Sequence, residues 1–555
     1  MTGFFKKPSW VAAIQRWALI LLAWSLPVSL FGMQLGMIIG AVGVLAWGIR
    51  TRFAGFRSPL DAAFLALLAA VGLSLLMAPR GAESFRAATS FWVWLTFFVV
   101  YHGLDSQKTL RWAVHGLLIL AVAAAAFGIF QTFTGLYPLG DIIHSGVVTQ
   151  LEPIKGEPGR FTAVGFFTTR VTFAHMLLFP FCWLAALALQ PLRGRVRLLL
   201  LAGLVVVGIG MVCTWRRTAP VAGLVALLGL LWVRIRAGRL RWIVTGLAAA
   251  ALIGALVMLA PGLVQRLQKS FLGGGDWGRM TIVQTALDMA SERPTTGFGF
   301  GNFEREARPR IEKRLAAMGR TRFSGRLTWA HNDLLTFWAE CGILGALAFC
   351  FLFVAWFLAV RRGIRRIPDD DHWLRGFVHG SVAAVAVFLA TGMFHDHFFH
   401  GAELGFVLWF TLGASLAAVR EPGRLCELLR VGHFAVMLGL FLLSTLINFP
   451  PKEGVAGWWP AGVAGLLLLV GLYLTLKHRR PWSRMRRESI LAVVVLLVLS
   501  AATAGLFRGV LAFRSSGEIA PGSVDFLLVA LVWTAAGFGL DACLRRVHDR
   551  FFKLR

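Results

Sequence analysis

The chain has 555 residues, of which 57% are hydrophobic and only 15% charged, and its mean hydropathy is +0.71. A soluble domain carries about 25% charge, so too few polar side chains are present to coat a water-facing surface, and a string of soluble domains is excluded. Lys and Arg number 56 against 27 Asp and Glu, a formal net charge of +29. On so apolar a chain that excess reads as basic anchoring loops beside a membrane, not as a nucleic-acid surface. Six cysteines with no CxxC pair read as buried thiols and not as a disulfide framework.

A spanning helix needs about 20 apolar residues. Such runs recur near 12–32, 34–49, 59–78, 89–104, 112–133, 171–190, 197–214, 218–234, 242–262, 332–360, 374–394, 402–419, 432–449, 456–476, 489–508 and 523–541. They predict an all-α polytopic membrane protein of about sixteen spans. The first run is not read as a cleaved signal, because a second apolar run begins almost at once. With the N-terminal Lys6 and Lys7 set in the cytoplasm, most short basic connections fall on the same side. Arg50 to Arg57, Lys108 and Arg111, Arg193 to Arg197, Arg234 to Arg241, Arg361 to Arg366, Arg420 to Arg430 and Lys477 to Arg487 all lie there. That is the positive-inside pattern, and it places both termini in the cytoplasm.

The opposite side then receives a medium loop, about 134–170, and a long one, about 263–331. It also receives the turn Thr214-Trp215-Arg216-Arg217-Thr218, a basic pair where short basic loops are disfavoured. Bases outnumber acids in the long loop, which suits either anionic lipid head groups or an anionic substrate. Met280, Val283, Leu287 and Ala290 predict an amphipathic helix over 279–292, stopped by Pro294 and Gly297-Phe298-Gly299-Phe300-Gly301. A charged helical stretch, 303–318, is expected to be interrupted at Pro309. The long loop is therefore expected to fold as a small helical cap. Its glycine run lacks the strand and helix of a dinucleotide fingerprint; it reads as a turn that lets backbone pass close to a neighbour.

Three groups of residues could carry chemistry. His331-Asn332-Asp333-Leu334-Leu335, continuing to Glu340-Cys341-Gly342, lies where the long loop meets the next span. A helix N-terminus favours the neutral imidazole, the form that accepts a proton; a capping histidine is the plainer alternative. Arg216 and Arg217, Arg279, and Arg160 with Arg170 flank the outer ends of spans. Converging guanidinium forks suit a pyrophosphate, whereas any single arginine there could simply reach for the interface. His395-Asp396-His397-Phe398-Phe399-His400, with Glu403, has some look of a metal cluster. Alternate residues do not share a helix face, so a polar cavity lining is preferred and no metal is expected.

In their order and sidedness these features resemble the O-antigen ligase and polymerase superfamily (Wzy-C group, WaaL-type ligases). The resemblance covers about residues 10–420 and rests on the multi-span chain with its large late loop. It rests equally on Arg279…Pro294…Gly297-Phe-Gly-Phe-Gly-Asn-Phe303, His331-Asn332-Asp333…Glu340-Cys-Gly342 and the outer Arg216-Arg217 pair. The resemblance implies a bacterial inner-membrane enzyme that needs no cofactor. It would move a glycan, with inversion, from undecaprenyl pyrophosphate to a sugar hydroxyl of lipid A–core at the periplasmic face. His331 would orient or deprotonate the acceptor, with Arg279 and Arg217 as its catalytic partners at the pyrophosphate. Arg216, Arg160, Arg170 and Asn332 would bind substrate. Membrane lipids are expected around the bundle, and nucleic acid is not expected as a partner.

The expected organisation is an N-terminal bundle over 1–262, the periplasmic cap over 263–331, and the remainder of about twelve core helices over 332–420. A further four-helix membrane domain over 421–555 is faintly VanZ-like through Ser523-Val524-Asp525 and Trp533 to Asp541. Rival readings keep the donor and change the acceptor: an O-antigen polymerase, or a protein O-oligosaccharyltransferase. A transporter or flippase would instead show charges near mid-span and internal repeats. A scaffold would not need outer arginines and a histidine at one cavity.

Overall fold

Helix ends in this chain follow local chemistry before packing takes over. A computed structural model describes residues 7–51, 58–77, 89–137, 151–154, 157–234, 277–319, 330–395, 397–398 and 402–420. Among them run α1 (Ser9–Ser25), α2 (Leu30–Arg50), α3 (Asp61–Met77), α4 (Leu95–Gly103, preceded by a 3-10 turn over Thr89–Trp94) and α5 (Gln107–Thr134). Then come α6 (Arg170–Ala188), α7 (Gly194–Cys213), α8 (Thr218–Arg234), α9 (Trp277–Glu292), α10 (Phe303–Ala317), α11 (Asp333–Ile364), α12 (His372–Gly392) and α13 (Ala402–Ala418). Side-chain caps open several of them: Ser29, Ser106, Thr169, Asn332 and Asp371 each accept the N–H three residues on.

The chain is a polytopic, all-helical membrane protein. Among the described residues six helices, α2, α5, α6, α7, α11 and α12, are long and apolar enough to cross a bilayer, and shorter apolar helices accompany them. Every span expected before residue 420 is a helix here, except 242–262, which lies outside the described residues. The first two are divided differently from expectation. The break falls at Leu26–Ser29 because Pro27 has no N–H to continue α1 and the Ser29 hydroxyl caps α2. The chain divides into two compact units, Met1–Cys426 and Glu427–Arg555. The second unit, with the four expected tail helices, lies outside the described residues.

α6 is the centre of the first unit. Nearly all of its residues are buried, Phe173, Phe179 and Trp183 completely, as befits a helix apolar on every side. In lipid, helices gain nothing from leaving water, so close packing and polar contacts decide their pairing. Accordingly Gly376 and Gly380 of α12, four residues apart, bring that helix against the backbone of Leu187 and Trp183. The indole N–H of Trp183 donates to Ser381 Oγ at 2.9 Å. Of the thiols, Cys182 and Cys341 are buried and Cys213 is half-buried, but Cys350 is exposed, facing outward from α11. The expectation of uniformly buried thiols fails there because α11 covers only one side of itself with neighbours.

Gly380→Ala should cost about 1–3 kcal/mol, since its Cβ would lie 2.9 Å from Trp183 Cα. Gly229→Ala, where nothing lies within 4 Å, should be neutral or stabilising by up to about 1 kcal/mol. Thermal unfolding of the two variants in nanodiscs checks the contrast.

Candidate functional site at one end of the bundle

The cap is built from α9 and α10. Ile282, Ala286 and Met289 of α9 meet Phe303, Ala307, Ile311 and Leu315 of α10, together with Phe298, Ala330, Leu335 and Ala339. The face of α9 that turns inward is shifted from the expected one: Ala290 is buried and Val283 packs against the cap core as expected, but Leu287 is 46% exposed, while Thr281 and Thr285 are buried. The interface with α10 and the start of α11 selects that face. Pro309 does not interrupt α10, which runs unbroken from Phe303 to Ala317. The packing of its four-residue repeat of apolar side chains outweighs the roughly 3 kcal/mol that an interior proline costs.

Charge in the cap is largely used within it. Arg310 pairs with Glu292 at 2.7 Å and with Glu306 at 3.3 Å. Arg314 pairs with Asp288, and Arg308 pairs with Glu304 at 2.7 Å. Burial works against the charge of Arg310, yet the hydrogen bonds and charges of Glu292 and Glu306 outweigh it and hold its pKa above the ordinary guanidinium value. Arg310 and Arg293 both lie over the Phe298 ring, at 4.8 and 5.1 Å. The basic excess of the long loop is thus partly a cap-building device.

The cap is fastened to the membrane helices by a break in α11. Gly342 has φ 67 and ψ −174 inside that helix. The carbonyls freed there accept from the cap: Phe298 N–H donates to Ala339 at 3.1 Å and Gly299 N–H to Glu340 at 2.9 Å. Ile343 N–H donates back to Pro294 at 2.7 Å. Glu340, fully buried, accepts the Phe303 N–H at 3.0 Å and so caps α10 from another helix. The glycine run therefore threads against Glu340-Cys341-Gly342. A Cβ on Gly297 or Gly342 would overlap the opposing backbone, and both residues have positive φ.

His331 precedes α11, whose N-cap is Asn332: its Oδ1 accepts Leu335 N–H at 3.0 Å. That use of the Asn332 side chain is structural. His331 itself is half-buried and held at φ 55. Among the described residues only His331 and Trp215 occupy this region without being glycine, at a cost of about 1–2 kcal/mol each. Trp215 belongs to the turn between α7 and α8, so both strained residues stand in the motifs that carry candidate chemistry. The buried Thr214 hydroxyl donates to Met211 at 2.7 Å and accepts Arg216 N–H at 3.3 Å. Arg216 is half-buried and Arg217 exposed.

Arg170 opens α6 and pairs with Glu152 at 2.8 Å. Arg160 pairs with Glu157 at 2.9 Å and lies 5.5 Å over the Phe133 ring. Exposed pairs of this kind hold by only about 0–1 kcal/mol, so neither prevents exchange for a phosphate. Arg279 stands in the first turn of α9; its side chain lies outside the described residues.

Backbone contacts draw these segments to one end. Ala163 N–H donates to Cys213 at 2.9 Å, bringing the 160–170 segment to the α7–α8 turn. Gln131, fully buried near the end of α5, clamps Val164 and Gly165. Asp333, in the first turn of α11, accepts the N–H groups of His397 and Phe398 at 3.3 and 3.1 Å. His397 is fully buried, its ring 4.0 Å from that of His175 on α6. The chain after α12 turns here, so His395 and His397 do converge, their rings 5.7 Å apart. Asp396 and His400 lie outside the described residues, and among the described residues no group of His, Cys, Asp or Glu is arranged to hold a metal. His175 escaped the sequence reading; a histidine one turn inside an apolar helix was the available sign.

Residues 202–350 match the family model Wzy_C, O-Antigen ligase. No curated protein matches the chain. The matched stretch runs from α7 through the cap into α11, and contains Arg216, Arg217, Arg279, His331 and Asn332 but neither Arg160 nor Arg170. It is an O-antigen ligase domain, of the O-antigen ligase/polymerase superfamily. With the apolar helices, it marks a bacterial membrane protein with glycosyl-transferring activity of the ligase or polymerase type, which takes a lipid-linked glycan.

Gly342→Ala should destabilise the first unit by more than about 2 kcal/mol, combining left-handed strain with overlap of the Thr295 carbonyl. A lower Tm in nanodiscs, with faster proteolysis within 294–303, is the expected reading.

Proposed function

We propose that the protein is an O-antigen ligase. It would transfer a glycan from undecaprenyl pyrophosphate to a sugar hydroxyl of lipid A–core, at the periplasmic face of the inner membrane. The observation that carries this reading is the family match over the one segment that supplies His331, Arg216, Arg217 and Arg279. The orientation is supported by the opposite end, where basic residues collect beside short connections. Lys7 donates to the His102 carbonyl at 2.9 Å, Arg420 lies over Tyr101 at 5.1 Å, and Arg111 pairs with Asp371 at 3.0 Å. By the positive-inside rule that end faces the cytoplasm.

On this reading His331 takes the proton of the acceptor hydroxyl as its oxygen forms the new bond to the anomeric carbon. The carbon–oxygen bond to pyrophosphate breaks on the opposite face, giving inversion. Arg217, Arg279 and Arg216 neutralise the charge that develops on the leaving diphosphate. Arg160 and Arg170 exchange their carboxylate partners for the outer part of the donor. The activated bond arrives in the donor, so no nucleotide is needed.

In a strain lacking the chromosomal copy, His331→Ala should reduce glycan attachment to lipid A–core at least about 100-fold. Arg279→Ala should do so by about 100-fold or more. Lipid-linked polymer should accumulate in both cases, as read on lipopolysaccharide gels and lipid extracts. Core bearing a single repeat would mark a polymerase instead, and normal gels from both variants would overturn the site.

A further inference from the structure

The turn that ends α7 holds a tryptophan where a glycine would ordinarily stand. Thr214 closes the helix, and the Trp215 N–H donates back to the Val212 carbonyl at 2.9 Å. This is the hydrogen bond of a left-handed helix stop, a position usually given to glycine. The bond that normally accompanies it is relayed through a side chain. Arg216 N–H donates to Thr214 Oγ1 at 3.3 Å, and that hydroxyl donates to Met211 at 2.7 Å. Elsewhere the chain keeps to the rule. α5 stops on Gly135 at φ 68 and α10 on Gly319 at φ 69, whereas α7 stops on Trp215 at φ 56.

No neighbour offsets this strain. Trp215 is 50% exposed, and its ring and indole N–H have no partner among the described residues. Anchoring in the membrane interface does not require such a backbone. Trp10, Trp17 and Trp24 of α1 and Trp112 of α5, the other exposed indoles among the described residues, all stand on regular helix. A strained residue without an internal contact points to an external one.

The surroundings indicate its chemistry. Arg216 and Arg217 follow directly, and successive Cα atoms are only about 3.8 Å apart. A group bonded to an anion held by those arginines therefore lies within reach of the ring. Phe161 N–H donates to Thr132 at 3.0 Å and Ala163 N–H to Cys213 at 2.9 Å, which ties the ends of α5 and α7 together. The exposed Phe133 ring, with Arg160 over it, belongs to the same rim. A lipid-linked diphosphate has two neighbours, a polyprenyl chain and a sugar. A pyranose has a flat C–H face edged by hydroxyl groups. An indole has a flat apolar face edged by one N–H, and so matches the sugar.

We propose that Trp215 is a substrate-binding residue whose indole stacks on the diphosphate-linked sugar of the donor. The inference rests on reading Arg216 and Arg217 as diphosphate-binding. The ring adds affinity for a donor that carries its glycan and none for the bare lipid diphosphate.

The test titrates the full chain in nanodiscs with two probes. One is undecaprenyl pyrophosphate; the other is the glycan-bearing lipid extracted from the strain lacking the chromosomal copy. Wild type should bind the glycan-bearing lipid more tightly. Trp215→Gly suits the left-handed backbone, so its Tm should hold or rise. Its binding of the glycan-bearing lipid should nevertheless weaken about tenfold, with binding of undecaprenyl pyrophosphate unchanged. Trp215→Leu, apolar but not flat, should lose as much, and Trp215→Phe should stay within about threefold of wild type. Equal weakening towards both probes, or recovery by leucine, would mean a lipid contact and overturn the proposal. Unchanged binding in Trp215→Gly would overturn it too, as would a lowered Tm, which would mean an indole that serves the fold. Binding does not depend on transfer. An active His331→Ala would therefore remove the ligase reading and leave the sugar subsite to be decided by the two probes, whereas a wild type that binds neither probe would overturn both.

Discussion

A helix broken in its interior must find other partners for the backbone groups it releases, and in a bilayer water cannot supply them. The break in α11 at Gly342 meets that demand with the cap itself. Phe298 and Gly299 fill the freed carbonyls, Pro294 receives the Ile343 N–H, and Glu340 reaches past the break to cap α10. The same few hydrogen bonds that satisfy the membrane helix therefore fasten the cap above it. The cap core, which includes Ala330 and Leu335 on either side of His331, is held at this end of the bundle by that fastening.

Electrostatics divides the basic residues into two kinds. Arg308, Arg310 and Arg314 are matched by cap carboxylates and serve the fold. Arg160 and Arg170 pair instead with Glu157 and Glu152, outside the cap and at least partly open to solvent. Arg216 lies half-buried at a turn that bends backward against its preference, in the stretch that matches the O-antigen ligase domain. Asp333 joins α11 to the turn after α12, and so to His175 of the central helix.

The twin strained residues connect stability to function. His331 and Trp215 occupy backbone conformations that side chains avoid, and the surrounding hydrogen bonds hold them there. Such positions persist when the neighbouring structure over-determines them, and they gather at sites that bind or react.

Sequence alone determined the membrane class, the position of nearly every described span, the folded cap and the residues worth watching. Apolar run length and charge placement are written locally, residue by residue. It also exposed the glycine run and Glu340-Cys341-Gly342 as distinct motifs, but not that one threads against the other. Which face of α9 turns inward, that α10 passes through Pro309, and that His175 meets His397 were decided only by tertiary packing. Contacts between segments far apart in the chain have no local signature, because each partner looks unremarkable until the other is beside it.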